Sequence, residues 1–176
     1  MLFLLSSQTS YLPDSLQRPI MLPTVVHVSR PDEVENNRRD LPIVMMEQEI
    51  MEAVNYNNAI IICGETGCGK TTPVPQFLYE AGFGSNLCGI QSGIGDTQLR
   101  LVAVLATAKQ VAFELGLHLG KEVGFQVRHD KIISDNCSIK FMTDGILLRE
   151  LKDLYEKEQQ LLLSGQYIEP KDRISH

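Results

Sequence analysis

The sequence predicts an α/β domain built on a mainly parallel sheet, and three observations carry that reading. Five apolar or near-apolar residues, Ala59 to Cys63, run straight into the glycine-punctuated stretch Gly64-Glu65-Thr66-Gly67-Cys68-Gly69-Lys70-Thr71-Thr72. Strand-like and helix-like patterns then alternate down the chain, the order expected of parallel strands joined by crossover helices. Aromatic residues make up only 6%, with no Trp, which suits a core of Ile, Val and Leu between sheet and helices.

The spacing Gly64-x-x-x-x-Gly69-Lys70-Thr71 fits a phosphate-binding loop between a buried strand and a helix. The chemistry asks for those residue types. Glycines let the backbone curl with several N–H groups pointing inward, an anion-binding hollow at a helix N-terminus. Lys70 can reach the terminal phosphates of a nucleotide as a compact cation, and the Thr71 hydroxyl is placed to coordinate Mg²⁺. The plain alternative is a chance glycine turn. The strand-like run before the loop and the helix-compatible run Thr71 to Ala81 after it argue against that.

The other elements follow in order. Residues 6 to 43 carry Pro13, Pro19, Pro23, Pro31 and Pro42 among Ser, Asn and Arg, and read as an extended arm occupying 1–43. From Val44 to Asn55 the pattern is helical, with Met46, Ile50, Ala53 and Val54 on one face. The helix after the loop should stop near Gly82 and Gly84. Gly84 to Gly95 is Gly/Ser-rich and irregular. Arg100 to His118 reads as a long helix through Leu101, Val104, Leu105, Ala108, Ala112 and Leu115. Glu122 to Arg128 is a short strand candidate. Ser138 to Thr143 is a second, with Ile139, Phe141 and Thr143 on one face, and Asp144 can cap a helix over Gly145 to Leu154. The domain proper is expected over 44–150, with a helical or loose tail over 151–176.

The 176 residues allow one domain with a real core. Net charge is −6 and the pI about 5.2, the wrong balance for a strong non-specific nucleic-acid binder. Any RNA affinity must come from a local groove. Cys63, Cys68, Cys88 and Cys137 form no zinc-like spacing and read as reduced thiols. Cys68 stands apart because a helix N-terminus beside it would favour the thiolate. The four histidines are scattered and read as ordinary surface residues. The apolar start Met1 to Leu5 is too short for a signal peptide, and no run approaches membrane-span length. No membrane partner is expected.

Several blocks together resemble the first RecA-like domain of DEAH-box RNA helicases. They are GETGCGKTT with VPQFLYEAGF, GFQVRHD (Gly124 to Asp130), KFMTDGILLRE (Lys140 to Glu150) and RRDLPIVMMEQEIMEAV upstream. The resemblance covers roughly Val25 to Arg173 and is strongest to the nucleolar ribosome-biogenesis members, the plant form in particular. It implies a RecA-like P-loop NTPase fold and an RNA-stimulated NTPase. Gly64 to Thr72 would hold ATP and Mg²⁺. Thr97, Arg100, Thr143, Asp144 and Gly145 would lie along the RNA backbone, contacts that position a strand without reading it. It also implies residence in the nucleus and nucleolus, with RNA and ribosome-assembly proteins as partners.

Departures from the family pattern qualify that implication. The Asp-Glu-Ala-His block, which would supply a Mg²⁺ carboxylate and orient the attacking water, should follow TDGILLRE. No apolar strand ending in Asp-Glu exists in this chain. The chain reads as if the block and its flanks were removed between about Glu150 and Lys152. Glu150, Asp153 and Glu156 lie nearby on a helical pattern and are not expected to substitute. The family's Pro-Arg-Arg is Leu99-Arg100-Leu101 here, and Pro73 replaces a Gln, a change tolerated in a first helical turn. Gly93-Ile94-Gly95-Asp96 suits a buried central strand poorly. Nothing resembling the second RecA-like domain, source of the arginines that complete the ATP site, is present. An incomplete domain with ATP binding and little or no hydrolysis is expected; the alternative is a non-catalytic piece that binds the helicase's protein partners.

Overall fold

A computed structural model describes residues 2–4, 25–57, 59–65, 67–84 and 93–163. Thr66, Cys88, residues 5–24 of the expected arm and residues 164–176 of the expected tail lie outside them. The described elements run in the order β1 (Leu2–Leu4), α1 (Asp32–Arg39), a 3₁₀ turn (Pro42–Met46), α2 (Glu47–Tyr56), β2 (Ala59–Ile61) and α3 (Pro73–Glu80). They continue with β3 (Ile94–Gln98), α4 (Leu101–Glu114), β4 (Val123–Gln126), β5 (Lys131–Ile132), β6 (Ile139–Thr143) and α5 (Asp144–Leu163).

Among the described residues the main sheet has four strands in the order β3-β6-β4-β5, and its two longest pairings, β3 with β6 and β4 with β6, are parallel. This is the mainly parallel α/β architecture expected. β5 returns antiparallel on β4. β2, which feeds the glycine loop, pairs with β1 in a separate two-stranded ribbon.

β6 lies inside the sheet, and that decides its burial. Ile139 and Phe141 are fully buried on one face, but Met142 is buried on the other as well. Ile139 and Phe141 thus share the face that alternation predicts, and the burial of Met142 as well fits a strand inside a parallel sheet whose two faces are covered. α4 packs through Val104, Ala108, Val111, Ala112 and Leu115, whereas Leu101 and Val102 at its start are exposed. Gly116 ends the helix at φ +66°, and a Cβ there would fall 2.3 Å from the Ser29 carbonyl oxygen, so only glycine fits.

Two expectations need correction. Asp32–Arg39, within the supposed extended arm, is a helix. Its first turn carries Asp32, Glu33 and Glu35 and its last Arg38 and Arg39, the arrangement the helix dipole favours. Met46 belongs to a 3₁₀ turn started by Pro42 and is exposed; α2 packs through the buried Ile50 and Val54, with Met51 half-buried beside them. The segment expected to suit a central strand poorly enters β3 only from Ile94, and among the described residues β3 is the edge of the sheet, where glycines cost less than in its middle.

Candidate functional site

The loop after β2 is held from beneath by the 3₁₀ turn. The Ile43 N–H donates to the Cys68 carbonyl at 3.3 Å, and the Leu41 and Ile43 side chains lie so close that a Cβ on Gly69 would meet Ile43 at 2.9 Å. Gly67 and Gly69 take φ values near +90°, which an L side chain resists. Lys70 turns back into its own loop, where Nζ donates to the Gly64 carbonyl at 2.6 Å, the Glu65 carbonyl at 2.7 Å and Cys68 Sγ at 3.1 Å. The loop thus curls around one ammonium group.

The helix after the loop begins at Pro73 rather than Thr71, and Gly67 to Thr72 lie in turns and bends. Two prolines explain the delay. A helix starting at Thr71 would set the Pro75 ring against the Thr71 carbonyl, while a start at Pro73 places both prolines among positions whose N–H groups have no helical partner. The positive neighbour of Cys68 is consequently the Lys70 ammonium, not a helix end. Thr71 is exposed, and Thr72 and Lys70 are half-buried.

Beside the loop, α1, the start of α3 and α4 enclose a cavity of about 380 Å³. Val34, Arg38, Leu41, Pro73, Gln110 and Phe113 are among its lining residues. Leu41 also contacts Gly69, and Pro73 is two residues past Thr71, so cavity and loop share a wall. Sequence reasoning missed this cavity and the residues that shape it. Pro31 followed by acidic and then basic residues was the available signal for α1; nothing local pointed to Leu41 or Ile43 as loop supports.

The second group of expected residues comes together at one end of the main sheet. Thr97 pairs in register with Met142, and Gln98 with Thr143, at the carboxyl ends of the adjacent parallel strands β3 and β6. Asp144 and Gly145 open α5 directly above β6, and Arg100 precedes α4 directly above β3. Arg100 and Gly145 are exposed, and a Cβ on Gly145 would meet nothing within 4 Å. Parallel α/β sheets take their ligands at this end.

Below that row, Asp96 is 1% exposed, with Oδ1 accepting from Gln98 Nε2 at 2.7 Å and Oδ2 without a partner among the described residues. Burial, offset only in part by Gln98, pushes its carboxyl up to about 7. The carboxylates near the expected Asp-Glu block are engaged elsewhere: Glu150 pairs with Lys140, and Glu156 with Lys152. Among the described residues no group of three or more His, Cys, Asp or Glu side chains could hold a metal ion. Burial also raises the Cys137 thiol, the setting of an inert cysteine.

No family model matches the chain. Curated relatives do. Over 140 residues it is 71% identical to the ATP-dependent RNA helicase DEAH13 of Arabidopsis thaliana, an alignment covering 79% of this chain and 11% of that protein. The chain belongs to the DEAH-box RNA helicase family. It is 53% identical over 127 residues to the probable ATP-dependent RNA helicase DHR1 of Saccharomyces cerevisiae, covering 72% of this chain and 10% of that one. It is 45% identical over 141 residues to the probable ATP-dependent RNA helicase DHX37 of Homo sapiens, covering 80% of this chain and 12% of that one. The chain therefore spans about a tenth of the length of these DEAH-box relatives. Among the described residues, no helix is long and apolar enough to cross a membrane.

Proposed function

We propose that this DEAH-box segment binds ATP at Gly64 to Thr72 and hydrolyses it little or not at all. The observation that carries the reading is the loop closed around the Lys70 ammonium. Three groups already converge there on one compact charge, and on binding the lysine would exchange two carbonyls for phosphate oxygens. Gly64, Glu65, Thr66, Gly67, Cys68 and Gly69 would supply backbone around the phosphates, and the neighbouring cavity would take the base. Its volume falls within the roughly 300–1,000 Å³ of small-molecule sites.

The exposed Thr71 hydroxyl fits a Mg²⁺ ligand, with Thr72 beside it. Bound Mg²⁺ would neutralise charge on the phosphates. The chain offers no carboxylate from an Asp-Glu strand end to complete that ion's surroundings or to orient water, so turnover near background is expected. RNA would lie weakly along Thr97, Arg100, Thr143, Asp144 and Gly145, a row whose alignment on two adjacent strand ends supports a backbone contact. By resemblance, the setting is ribosome assembly in the nucleolus, with assembly proteins as partners.

Titration of the purified chain with Mg-ATP tests the nucleotide reading. Saturable binding lost in Lys70→Ala is expected, with no RNA-stimulated hydrolysis; a chain indifferent to ATP, or one that hydrolyses it briskly, overturns the proposal. A partner-binding role without nucleotide is the second reading, favoured by Leu148, Leu151 and Tyr155, exposed at helical spacing along α5. It is preferred if ATP binding is absent and the chain still retains assembly proteins.

A further inference from the structure

The cavity beside the phosphate loop has one wall that the loop's own strand and helix do not build. That wall is α1, which contributes Val34 and Arg38. It is held in place by a buried polar cluster rather than by an apolar seam. Glu80, at the end of α3, accepts from Arg30 through both carboxylate oxygens, and from Arg38 NH1 at 3.2 Å. Gln76, fully buried one turn earlier, accepts from Arg30 at 3.2 Å and from Arg38 at 3.3 Å through the same Oε1. Its amide donates to Glu114 of α4, which also accepts from Gln110 at 2.7 Å. The Arg38 guanidinium lies 5.1 Å over the Phe77 ring.

Arg30 sits on a strap, residues 25–31, that leads into α1. The strap is pinned at both ends: the Val26 N–H donates to the Glu80 carbonyl at 2.9 Å, and the Ser29 carbonyl presses on Gly116. Arg30 Nε is buried without a partner among the described residues, a cost that stands against the strap being mere filler. Glu80 therefore bridges two largely buried guanidiniums, one from the strap and one from the cavity wall, with Glu47 a second carboxylate 3.7 Å from Arg38. Without Glu80, Arg30 loses its carboxylate and Arg38 keeps only the longer contact to Glu47, which loosens α1 from α3.

We propose that Glu80 and Arg30 are positioning residues for the nucleobase: they latch the strap and α1 to α3 so that the cavity keeps its shape, while the phosphate loop depends on neither. The inference rests on the nucleotide reading above. It predicts that loosening the latch removes the base's share of the affinity and leaves the phosphates' share.

The test compares Mg-ATP with inorganic tripolyphosphate on the full chain by calorimetry, for wild type, Glu80→Gln and Arg30→Gln, with hydrogen exchange followed over residues 32–39. Wild type should prefer ATP over tripolyphosphate. Both variants should lose about tenfold in ATP affinity, the scale of a charged hydrogen bond, while tripolyphosphate binding stays within about twofold and exchange in α1 rises. Arg30→Gln, which alters only the strap, serves if Glu80→Gln does not fold. Equal losses for both ligands, or ATP preference as strong in the variants as in wild type, overturns the inference alone. A wild-type chain with no preference for ATP over tripolyphosphate overturns the base site and the inference with it.

Discussion

The two halves of this molecule share one apolar core, to which α3 contributes Val74, Phe77 and Leu78, but they differ in what fastens their outer parts. Around β3, β4 and β6 the structure is a packed parallel sheet, in which Val123, Ile139 and Phe141 are fully buried and α4 closes one face. Around the phosphate loop β2 is only three residues long, Ile61 is 73% exposed, and α1 is fastened by arginines and a glutamate. Apolar packing is non-directional and spread over many contacts, whereas a polar latch concentrates its effect in a few directional bonds. The sheet half should therefore govern stability. The loop half should govern ligand affinity and be adjustable without unfolding the rest.

The sharpest way to break that contrast is Phe141→Ala. Emptying the middle of β6 should cost about 3–5 kcal/mol in denaturant unfolding, enough to unfold a marginal domain. A loss below about 1 kcal/mol would mean that the sheet is not the stabilising half.

Asp96 offers the next largest effect. The folded chain holds its proton up to about pH 7, while an unfolded Asp releases it near 4. Between those values the folded state binds more protons. Stability is thus fully present below about pH 4, falls as pH rises towards 7, and levels off above. About three pH units correspond to roughly 4 kcal/mol as an upper figure. Asp96→Val should flatten the pH profile of the melting temperature and raise stability at pH 7; an unchanged slope would show that another group titrates there.

Lys70→Ala should behave in the opposite sense. Loss of a charged contact worth about 1.5–3 kcal/mol should weaken ATP binding about tenfold or more, with a melting temperature close to wild type. A collapsed melt would show that the ammonium is needed for the fold of the loop rather than for its ligand. The mildest effect is expected at Cys68, whose thiol touches Lys70 at 3.1 Å. Saturating ATP should slow its alkylation several-fold while leaving the rate at the half-buried Cys137 unchanged, and equal Cys68 rates with and without nucleotide would detach it from the site.

Much of the sheet half was legible because its signals are local. β4, β6 and α4 lie within the stretches that periodicity marked, with boundaries off by at most four residues. Glycines closed the helices where expected, as at Gly82 and Gly116. The glycine turn, with Gly67 and Gly69 at positive φ, was legible from spacing read together with the strand-like run before it. What escaped was set by neighbours far away in sequence. α1 was hidden behind prolines, and its chief partners, Gln76 and Glu80, lie 38 and 42 residues from Arg38. Asp96 looked unfit for a central strand, and it is tolerated in an edge strand with a partly unmet carboxyl. The late start of α3 follows from Pro75 acting together with Pro73, and Pro73 by itself does not reveal it.

The amino-acid order by itself determined which residues could cradle a phosphate and where strands would alternate with helices, because glycine freedom, proline stereochemistry and apolar period act within a few residues. Only the folded chain decided that Lys70 turns inward, that Thr97 and Thr143 stand at the same end of neighbouring strands, and that Arg30, Arg38 and Glu80 meet beside a cavity. Those are juxtapositions of distant segments, and burial of the intervening core is what brings them within bonding distance.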